Sequence, residues 1–274
     1  MSDTLTFSAA SALNLEPRLP PNPSSARTST EQPQSRPFVT LTFATSLDSS
    51  LSLAPGVRTR LSGPDSKAMT HYLRSRHDAI LVGVSTMLAD DPALNCRIQG
   101  ANSQPRPIII DPHLRWTPQA TDKVLQTCKF GRGLAPFIIT TQHHDGIPTA
   151  SREVLESHGG RYIQIPAQPD KATSRSRFDW RDIMTALHET GLSSVMVEGG
   201  ANIINSLLHP DYHSLVDSVI VTIAPTWLGQ GGVVVSPERV HDEKGTPAAA
   251  ARLCDVSWIP FGEDVVLCGK LQTS

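Results

Sequence analysis

The chain has few cysteines, few aromatic residues and almost no net charge. Its four cysteines form no Cys-x-x-Cys pair, so their spacing predicts neither a zinc site nor a disulfide framework. The four tryptophans are scattered along the chain, so we expect no stacking platform for nucleic-acid bases. A formal net charge of −2 gives no overall attraction to nucleic acid or to an acidic membrane. Any anion that binds must therefore be held by local features.

Long hydrophobic runs are missing as well. No apolar stretch approaches the roughly 20 residues that cross a bilayer. The N-terminus has no apolar run preceded by positive charge, which a secretory signal requires. Asp3 and Glu16 also interrupt the pattern expected of a mitochondrial presequence. We therefore expect a cytoplasmic protein that makes no membrane contact.

The first part of the chain differs in composition from the rest. Residues 1–36 are rich in Pro and Ser, which predicts a disordered tail because such a segment buries too little apolar surface. An apolar, β-rich pattern begins abruptly at Pro37. The remaining length suits one domain with a sizeable core. We therefore predict a tail over residues 1–36 and a single domain over residues 37–274.

Short apolar runs alternate with helical patterns after Pro37. Strands are predicted over residues 38–44, 79–84, 107–111, 136–141, 162–165, 194–198, 218–224 and 264–271, and helices over residues 65–77, 152–157, 180–190 and 201–208. This alternation predicts an α/β fold with a mostly parallel sheet flanked by helices. The last strands follow one another without a clear helix, which favours an antiparallel C-terminal edge. Residues 112–135, 166–178 and 229–262 are expected to be loops or insertions.

One candidate site is the segment Val197-Glu-Gly-Gly-Ala-Asn202, where a predicted strand runs directly into two glycines and a helix. A phosphate can approach the backbone N–H groups of such a turn, and the helix dipole adds to the attraction. Glu198 stands at the carboxyl end of the strand, where open α/β sheets bind ligands. The alternative is an ordinary tight turn with Glu198 as a surface acid.

A second candidate site follows the strand that begins at Ile80. Ser85 and Thr86 can cap a short helix or contact a ligand, and the carboxylates of Asp90 and Asp91 precede a proline. Arg97 is a candidate phosphate ligand because a guanidinium binds phosphate through two parallel hydrogen bonds. Arg74 and Arg76 on the preceding helix are further candidates. Without more context, a solvated turn is the default interpretation of Asp90 and Asp91, and exposed helix charges are the alternative for Arg74 and Arg76.

The histidines and one glycine-rich segment do not predict a further site. His71 and His77 are six residues apart, a poor spacing for one helix face, and His143 and His144 are neighbours in a loop. We therefore predict no metal site. The segment Gly229-Gln-Gly-Gly232 lacks the Gly-Lys-Ser/Thr of a phosphate-binding loop.

Taken in order, the motifs resemble those of a known family, the reductases of riboflavin biosynthesis. This family includes the reductase domain of the bacterial bifunctional deaminase–reductase and the stand-alone fungal 2,5-diamino-6-ribosylamino-4(3H)-pyrimidinone 5′-phosphate reductases. The resemblance spans roughly Pro37 to Leu271. It is carried by Pro37-Phe-Val-Thr-Leu41, Ser46-Leu-Asp48, Thr70-His-Tyr-Leu-Arg-Ser-Arg-His-Asp-Ala-Ile-Leu-Val-Gly83, Thr86-Met-Leu-Ala-Asp-Asp-Pro92, Pro105-Arg-Pro-Ile-Ile-Ile-Asp111, Val195-Met-Val-Glu-Gly-Gly200, Val221-Thr-Ile-Ala-Pro225 and Leu228-Gly229.

The resemblance implies a dihydrofolate-reductase-like fold, a homodimer, NADPH as cofactor and a phosphorylated pyrimidine as substrate. It implies cofactor contacts at Thr86, Asp90, Gly199, Gly200, Ala201 and Asn202, and a weaker one at Thr140 with the adenosine half. It implies a substrate contact at Glu198. Arg74, Leu94 and Arg97 would face the substrate, with the two arginines near its phosphate. Asp48 is a polar partner for the opened sugar.

The implied reaction is hydride transfer from NADPH to C1′ of the sugar after the ribosylamine has opened to an imine. The bacterial relatives can carry Lys where this chain has Thr42, and its absence fits the branch of the pathway that reduces before deamination. They also often have Gly where this chain has Ser49.

Three other functions are alternatives to this one. Dihydrofolate or pteridine reductases share the fold, and fold alone does not fix function. A non-catalytic NADPH-binding protein is the alternative from another class. The third, a bifunctional deaminase–reductase, is disfavoured because the zinc deaminase signature His-x-Glu and Pro-Cys-x-x-Cys is absent.

Overall fold

A nine-stranded sheet forms the centre of the computed structural model, which describes residues 4–21, 35–169 and 176–273. The strands are β1 (Phe38–Thr45), β2 (Ala79–Gly83), β3 (Arg106–Ile110), β4 (Phe137–Thr140), β5 (Arg161–Gln164), β6 (Ser194–Glu198), β7 (Ser218–Ile223), β8 (Leu253–Phe261) and β9 (Asp264–Leu271). Their order across the sheet is β8-β9-β7-β1-β6-β2-β3-β4-β5.

The strand pairing confirms the predicted fold class. All neighbours from β7 to β5 run parallel, whereas β9 is antiparallel to both β7 and β8. Strands β2, β3 and β4 are apolar over most of their length because helices cover both faces of a parallel sheet. In β2, for example, Ala79 and Leu81 belong to the core on one face, and Ile80 and Val82 to the core on the other.

Seven α-helices lie within the described residues. They are α1 (Ala9–Leu15), α2 (Pro64–Ser75), α3 (Val84–Asp90), α4 (Lys123–Lys129), α5 (Thr149–Ser157), α6 (Trp180–Glu189) and α7 (Ala201–Leu207). Helices α6 and α7 pack on one face of the sheet, and α2 to α5 pack on the other. Each of these helices is too short or too polar to span a lipid bilayer.

Helix α4 and strand β8 are the longest regular elements in segments that the sequence pattern assigns to loops. Helix α4 lies within residues 112–135, and strand β8 lies within residues 229–262. Strand β8 lacks regular alternation because it is an edge strand with a register shift between Cys254 and Ser257. In the third predicted loop, Gln168–Pro169 pairs with Ser176–Arg177, and residues 170–175 lie outside the described residues.

The prediction of disorder throughout residues 1–36 is wrong for the part that the structure describes. Helix α1 is followed by one turn of 3-10 helix at Glu16–Arg18, and Leu15 is completely buried. A short helix of this kind draws its stability from tertiary packing, so local composition is a poor guide to its presence. Residues 22–34 of the predicted tail lie outside the described residues.

His77, at the end of α2, gives a testable pH dependence of stability. Its Nδ1–H donates to the Leu73 carbonyl (2.7 Å), and the Thr40 hydroxyl donates to Nε2 (2.8 Å). Burial lowers the pKa of His77 from 6.5 to about 4. Between these values the unfolded chain binds more protons than the folded chain. We therefore expect the free energy of unfolding to fall by about 1.4 kcal/mol per pH unit below 6.5 on account of this residue.

Urea unfolding at a series of pH values between 7.5 and 5, roughly spanning the free-histidine pKa, measures this slope. His77→Gln should remove the contribution of this residue from the slope, whereas His188→Gln, at an exposed histidine on α6, should retain the full slope. Equal slopes for the two variants would show that His77 does not control the acid sensitivity.

Candidate active site

A large cleft opens at the carboxyl ends of β1, β2 and β6. It has a volume of about 1490 Å³ and is lined by the ends of these strands, by α2 and α3, and by the turn that leads into α7. Strands β2 and β6 are hydrogen-bonded neighbours, with Leu81 opposite Val197. This pairing brings the two candidate sites of the sequence to one edge of the sheet, where α/β folds bind ligands.

Ten of the twelve predicted site residues line this cleft. They are Arg74, Thr86, Asp90, Leu94, Arg97, Glu198, Gly199, Gly200, Ala201 and Asn202. Leu94 is only 3 % exposed, because its side chain packs into the core beside Ile80 and Val82. Its backbone has a φ of 48°, in the left-handed region that non-glycine residues seldom adopt.

Glu198 and Arg74 form a bidentate ion pair across the cleft. Nε of Arg74 donates to Oε1 of Glu198 (2.9 Å), and Nη2 donates to Oε2 (2.7 Å). Nη1 of Arg74 donates to the carbonyl of Asn95 (3.1 Å). Burial alone would lower the pKa of Arg74, but the charge and hydrogen bonds of Glu198 outweigh it and raise that pKa. Each carboxylate oxygen keeps a second lone pair with which to accept a hydrogen bond from a ligand.

Arg97 and His71 form a second polar corner of the cleft. Nη2 of Arg97 lies 2.9 Å from Nε2 of His71, and the backbone nitrogen of Arg97 lies 3.2 Å from Nδ1. Burial and the charges of Arg74, Arg97 and Lys67 lower the pKa of His71 to about 3. His71 is therefore neutral near physiological pH, and the positive charge of this corner comes from the arginine and lysine side chains.

Asp90 and Asp91 end α3 and have different environments. Oδ1 of Asp90 is buried and has no hydrogen-bond partner among the described residues, although Asp90 lines the cleft. Asp91 has a left-handed backbone with a φ of 41°, and its carboxylate accepts from the N–H of Lys123 (2.9 Å) and pairs with the Lys123 ammonium (3.5 Å). Asp91 therefore joins α3 to α4, whereas Asp90 keeps an acceptor for a ligand.

The turn between β6 and α7 exposes backbone to the cleft. Gly200 has a φ of −68° and a ψ of 165°, which other residues also adopt. A Cβ atom at Gly200 would meet no atom within 4 Å. Packing within the described chain therefore does not require glycine at this position. The absence of a side chain instead leaves room for a ligand beside the backbone.

Asp48 and Thr140 lie outside the cleft. The carboxylate of Asp48 accepts from the backbone N–H of Gly229 (2.7 Å) and of Leu228 (3.2 Å) and from the Ser46 hydroxyl. The Ser46 hydroxyl and the Gly229 N–H lower the pKa of Asp48. Thr140 is completely buried, and its hydroxyl donates to the Pro112 carbonyl (3.2 Å). Both side chains therefore serve loop structure rather than the cleft.

Comparison with known proteins agrees with this geometry. The family described as RibD C-terminal domain matches residues 37–267. The chain belongs to this family. The 2,5-diamino-6-ribosylamino-4(3H)-pyrimidinone 5′-phosphate reductase of Debaryomyces hansenii is 42 % identical, with 86 % of this chain and 90 % of the relative covered. The protein of the same name from Saccharomyces cerevisiae is 40 % identical, with 86 % and 87 % covered.

A solved structure of the riboflavin biosynthesis reductase of Saccharomyces cerevisiae superposes with a TM-score of 0.72 at 35 % identity, covering 95 % of this chain and 98 % of that one. Together these relatives place this RibD C-terminal domain family member among the oxidoreductases of the riboflavin pathway, which implies a nicotinamide cofactor.

The cleft also contains basic residues that the sequence motifs do not identify. Seven basic side chains line the cleft against three carboxylates, although the whole chain has a net charge of −2. The basic residues are Arg58, Arg60, Lys67, Arg74, Arg97, Lys123 and Arg132. Lys67, His71 and Arg74 follow the i, i+4, i+7 spacing of one helix face, a signal that the sequence does contain. Arg76, in contrast, points away from the cleft and pairs with Glu16.

Proposed function

We propose that this chain uses NADPH to reduce the ribosylamino side chain of 2,5-diamino-6-ribosylamino-4(3H)-pyrimidinone 5′-phosphate to the ribitylamino form. One observation carries the proposal. Residues of both family motifs line one cleft. The chain that forms it matches relatives named as this reductase over most of its length. Further support comes from the size of the cleft, from its excess of basic side chains and from the unpaired Oδ1 of Asp90.

The cleft fits a dinucleotide together with a second ligand. Its volume of about 1490 Å³ exceeds the roughly 300–1,000 Å³ typical of a pocket for one small molecule. The excess of basic side chains suits two phosphorylated ligands. We assign the cofactor to the side formed by Thr86, Asp90 and the turn at residues 199–202. Oδ1 of Asp90 would accept a hydrogen bond from a cofactor hydroxyl or amide, which would satisfy a buried oxygen.

The substrate is assigned to the side of the cleft formed by α2 and the end of β6. Glu198 would accept hydrogen bonds from the amino groups of the pyrimidine while Arg74 holds its carboxylate in place. Arg97, supported by His71 and close to Lys67, would bind the 5′-phosphate. This division gives the pyrimidine ring and the phosphate separate polar partners.

In this proposal the side chains orient the substrate and bind its charged phosphate. When bound, NADPH supplies the hydride that C1′ of the opened sugar accepts. Glu198 and Arg74 hold the ring so that C1′ faces the cofactor side of the cleft, and proximity of this kind replaces a bimolecular encounter. The nitrogen beside C1′ gains a proton, which we assign to water.

Thr42 supports the non-deaminated compound as substrate. Thr42 pairs with Glu198 across β1 and β6, and both line the cleft. A lysine at this position would place a cation beside the Glu198 carboxylate and would contact the pyrimidine ring differently. A threonine leaves Glu198 free to accept from the amino group that deamination removes.

Loss of NADPH absorbance, followed with three compounds, tests the proposed function. We expect rapid turnover of the non-deaminated ribosylamino-pyrimidine phosphate, slower turnover of its deaminated form and none of dihydrofolate. Preference for the deaminated form would overturn the role given to Thr42. Turnover of dihydrofolate, or tight NADPH binding without any turnover, would overturn the proposed function.

We also propose a cytoplasmic homodimer. The exposed indole of Trp258, on edge strand β8, is 60 % accessible, and that of Trp227 is 72 % accessible. Large aromatic side chains are enriched in protein interfaces. Sedimentation equilibrium should give twice the chain mass, and Trp258→Ser should shift the population toward monomer. A monomeric wild-type protein at micromolar concentration would contradict the proposal.

A further inference from the structure

We infer that the N-terminal segment, residues 4–21, positions Arg97 for the substrate phosphate. The inference rests on the proposed function for the role of Arg97, and on the contacts of the segment itself. Residues 4–21 lie before the part of the chain that the family match covers. None of them lines the cleft, so any effect on catalysis passes through other residues.

The segment holds the backbone on both sides of Arg97. The N–H of Leu5 donates to the carbonyl of Arg97 (2.9 Å), and the N–H of Gln99 donates to the carbonyl of Leu5 (2.8 Å). Leu5 and Ile98 thereby form a parallel bridge. On the preceding residue, the N–H of Cys96 is held by Gln104 (2.8 Å). The Arg97 backbone is therefore fixed between Gln104 and the N-terminal segment.

The segment is anchored to the same helix that carries the cleft residues. The ring of Phe7 stacks on Tyr72 (4.8 Å between centroids) and on Phe261 (5.9 Å). Glu16 forms an ion pair with Arg76 and accepts from the Tyr72 hydroxyl. Tyr72 and Arg76 lie on α2 or at its end, and their neighbours His71 and Arg74 face the cleft.

Apolar burial makes this anchor firm. Leu15 is 0 % exposed and Leu19 is 5 % exposed, and both pack with Met69 and Leu73 of α2. Removing these leucine side chains from water stabilises the packing of the segment on α2. The segment thus packs firmly over α2. Near its start, Leu5 makes a strand-like contact beside Arg97. It acts as a positioning element, and it is not itself a ligand-binding element.

Leu5→Pro in the full chain tests the inference, because proline removes the N–H that donates to Arg97. We expect KM for the phosphorylated substrate to rise by about fivefold, the worth of one hydrogen bond that orients a charged group. The KM for the same compound without its phosphate should stay unchanged, as should kcat and the NADPH Kd. Thr6→Pro is the matched control, since the Thr6 N–H makes no hydrogen bond within the described residues.

Arg97→Ala separates failure of the inference from failure of the proposed function. If Arg97→Ala raises KM for the phosphorylated substrate but Leu5→Pro behaves like Thr6→Pro, the segment does not position Arg97. If Arg97→Ala leaves that KM unchanged, the phosphate site itself is misplaced and the inference falls with it. Loss of activity in Leu5→Pro toward both forms of the substrate would indicate a general structural role, which also overturns the inference.

Discussion

We expect Glu198→Gln to lower kcat/KM for the pyrimidine substrate by about 10- to 100-fold and to leave the NADPH Kd unchanged. The range corresponds to hydrogen bonds made by a charged group, which contribute more than neutral ones. Glutamine keeps the size of the side chain but loses the charge that pairs with Arg74. It also replaces one acceptor oxygen with a donor that faces the amino groups of the ring. Steady-state kinetics and a separate NADPH titration measure the two quantities.

Two further variants sharpen this result. Glu189→Gln, at an exposed glutamate on α6, makes the same chemical change away from the cleft and should behave like the wild type. Because Arg74 and Glu198 hold each other, Arg74→Gln combined with Glu198→Gln should cost less than the product of the two single effects. A collapse of NADPH affinity in Glu198→Gln, with KM for the pyrimidine unchanged, would reverse the roles assigned to the two sides of the cleft.

We expect Gly200→Val to raise the NADPH Kd by about tenfold or more without lowering the melting temperature. The backbone of Gly200 is in an extended conformation that valine adopts readily, and a Cβ there meets nothing within 4 Å. The added methyl groups would instead occupy the space in which the cofactor phosphates approach the turn. A tenfold change corresponds to about 1.4 kcal/mol of binding free energy.

Gly146→Val provides the matched control for this substitution. Gly146 lies in a 3-10 turn away from the cleft, and its nearest neighbour to an added Cβ is the end of the Gln142 side chain at 3.7 Å. Fluorescence titration and thermal unfolding of both variants separate binding from stability. An unchanged NADPH Kd in a folded Gly200→Val protein would mean that the cofactor does not contact this turn.

The sequence predicted the strands that build the cleft because buried parallel strands are continuous apolar runs. The runs at β2 and β6 each end in polar residues, and Glu198 could be selected because Gly199 and Gly200 follow it at once. Strands β2 and β6 are neighbours in the fold, and α2 directly precedes β2. Arg74 on α2 therefore meets Glu198 at the end of β6, although the two residues are far apart in the sequence.

Other features depended on tertiary contacts that no local pattern reveals. Asp48 is engaged by the backbone of Leu228 and Gly229, far along the chain, so its availability to a ligand could not be judged from its own neighbours. The structure of the N-terminal segment could not be predicted because residues 1–36 are rich in Pro and Ser. Its few apolar side chains, such as Phe7 and Leu15, stabilise it only by packing against α2. Strand β8 was missed because the register shift between Cys254 and Ser257 interrupts its apolar alternation.

Transfer of deuterium from the cofactor is the decisive test of hydride delivery to C1′. NADPH deuterated at C4 of the nicotinamide, in each of its two stereochemical forms, is incubated with the protein and the non-deaminated ribosylamino-pyrimidine phosphate. We expect one of the two forms to deliver its deuterium to C1′ of the ribitylamino product, seen by mass spectrometry and NMR. A reduced product with no deuterium at C1′ from either form, or with deuterium in the pyrimidine ring, would contradict it.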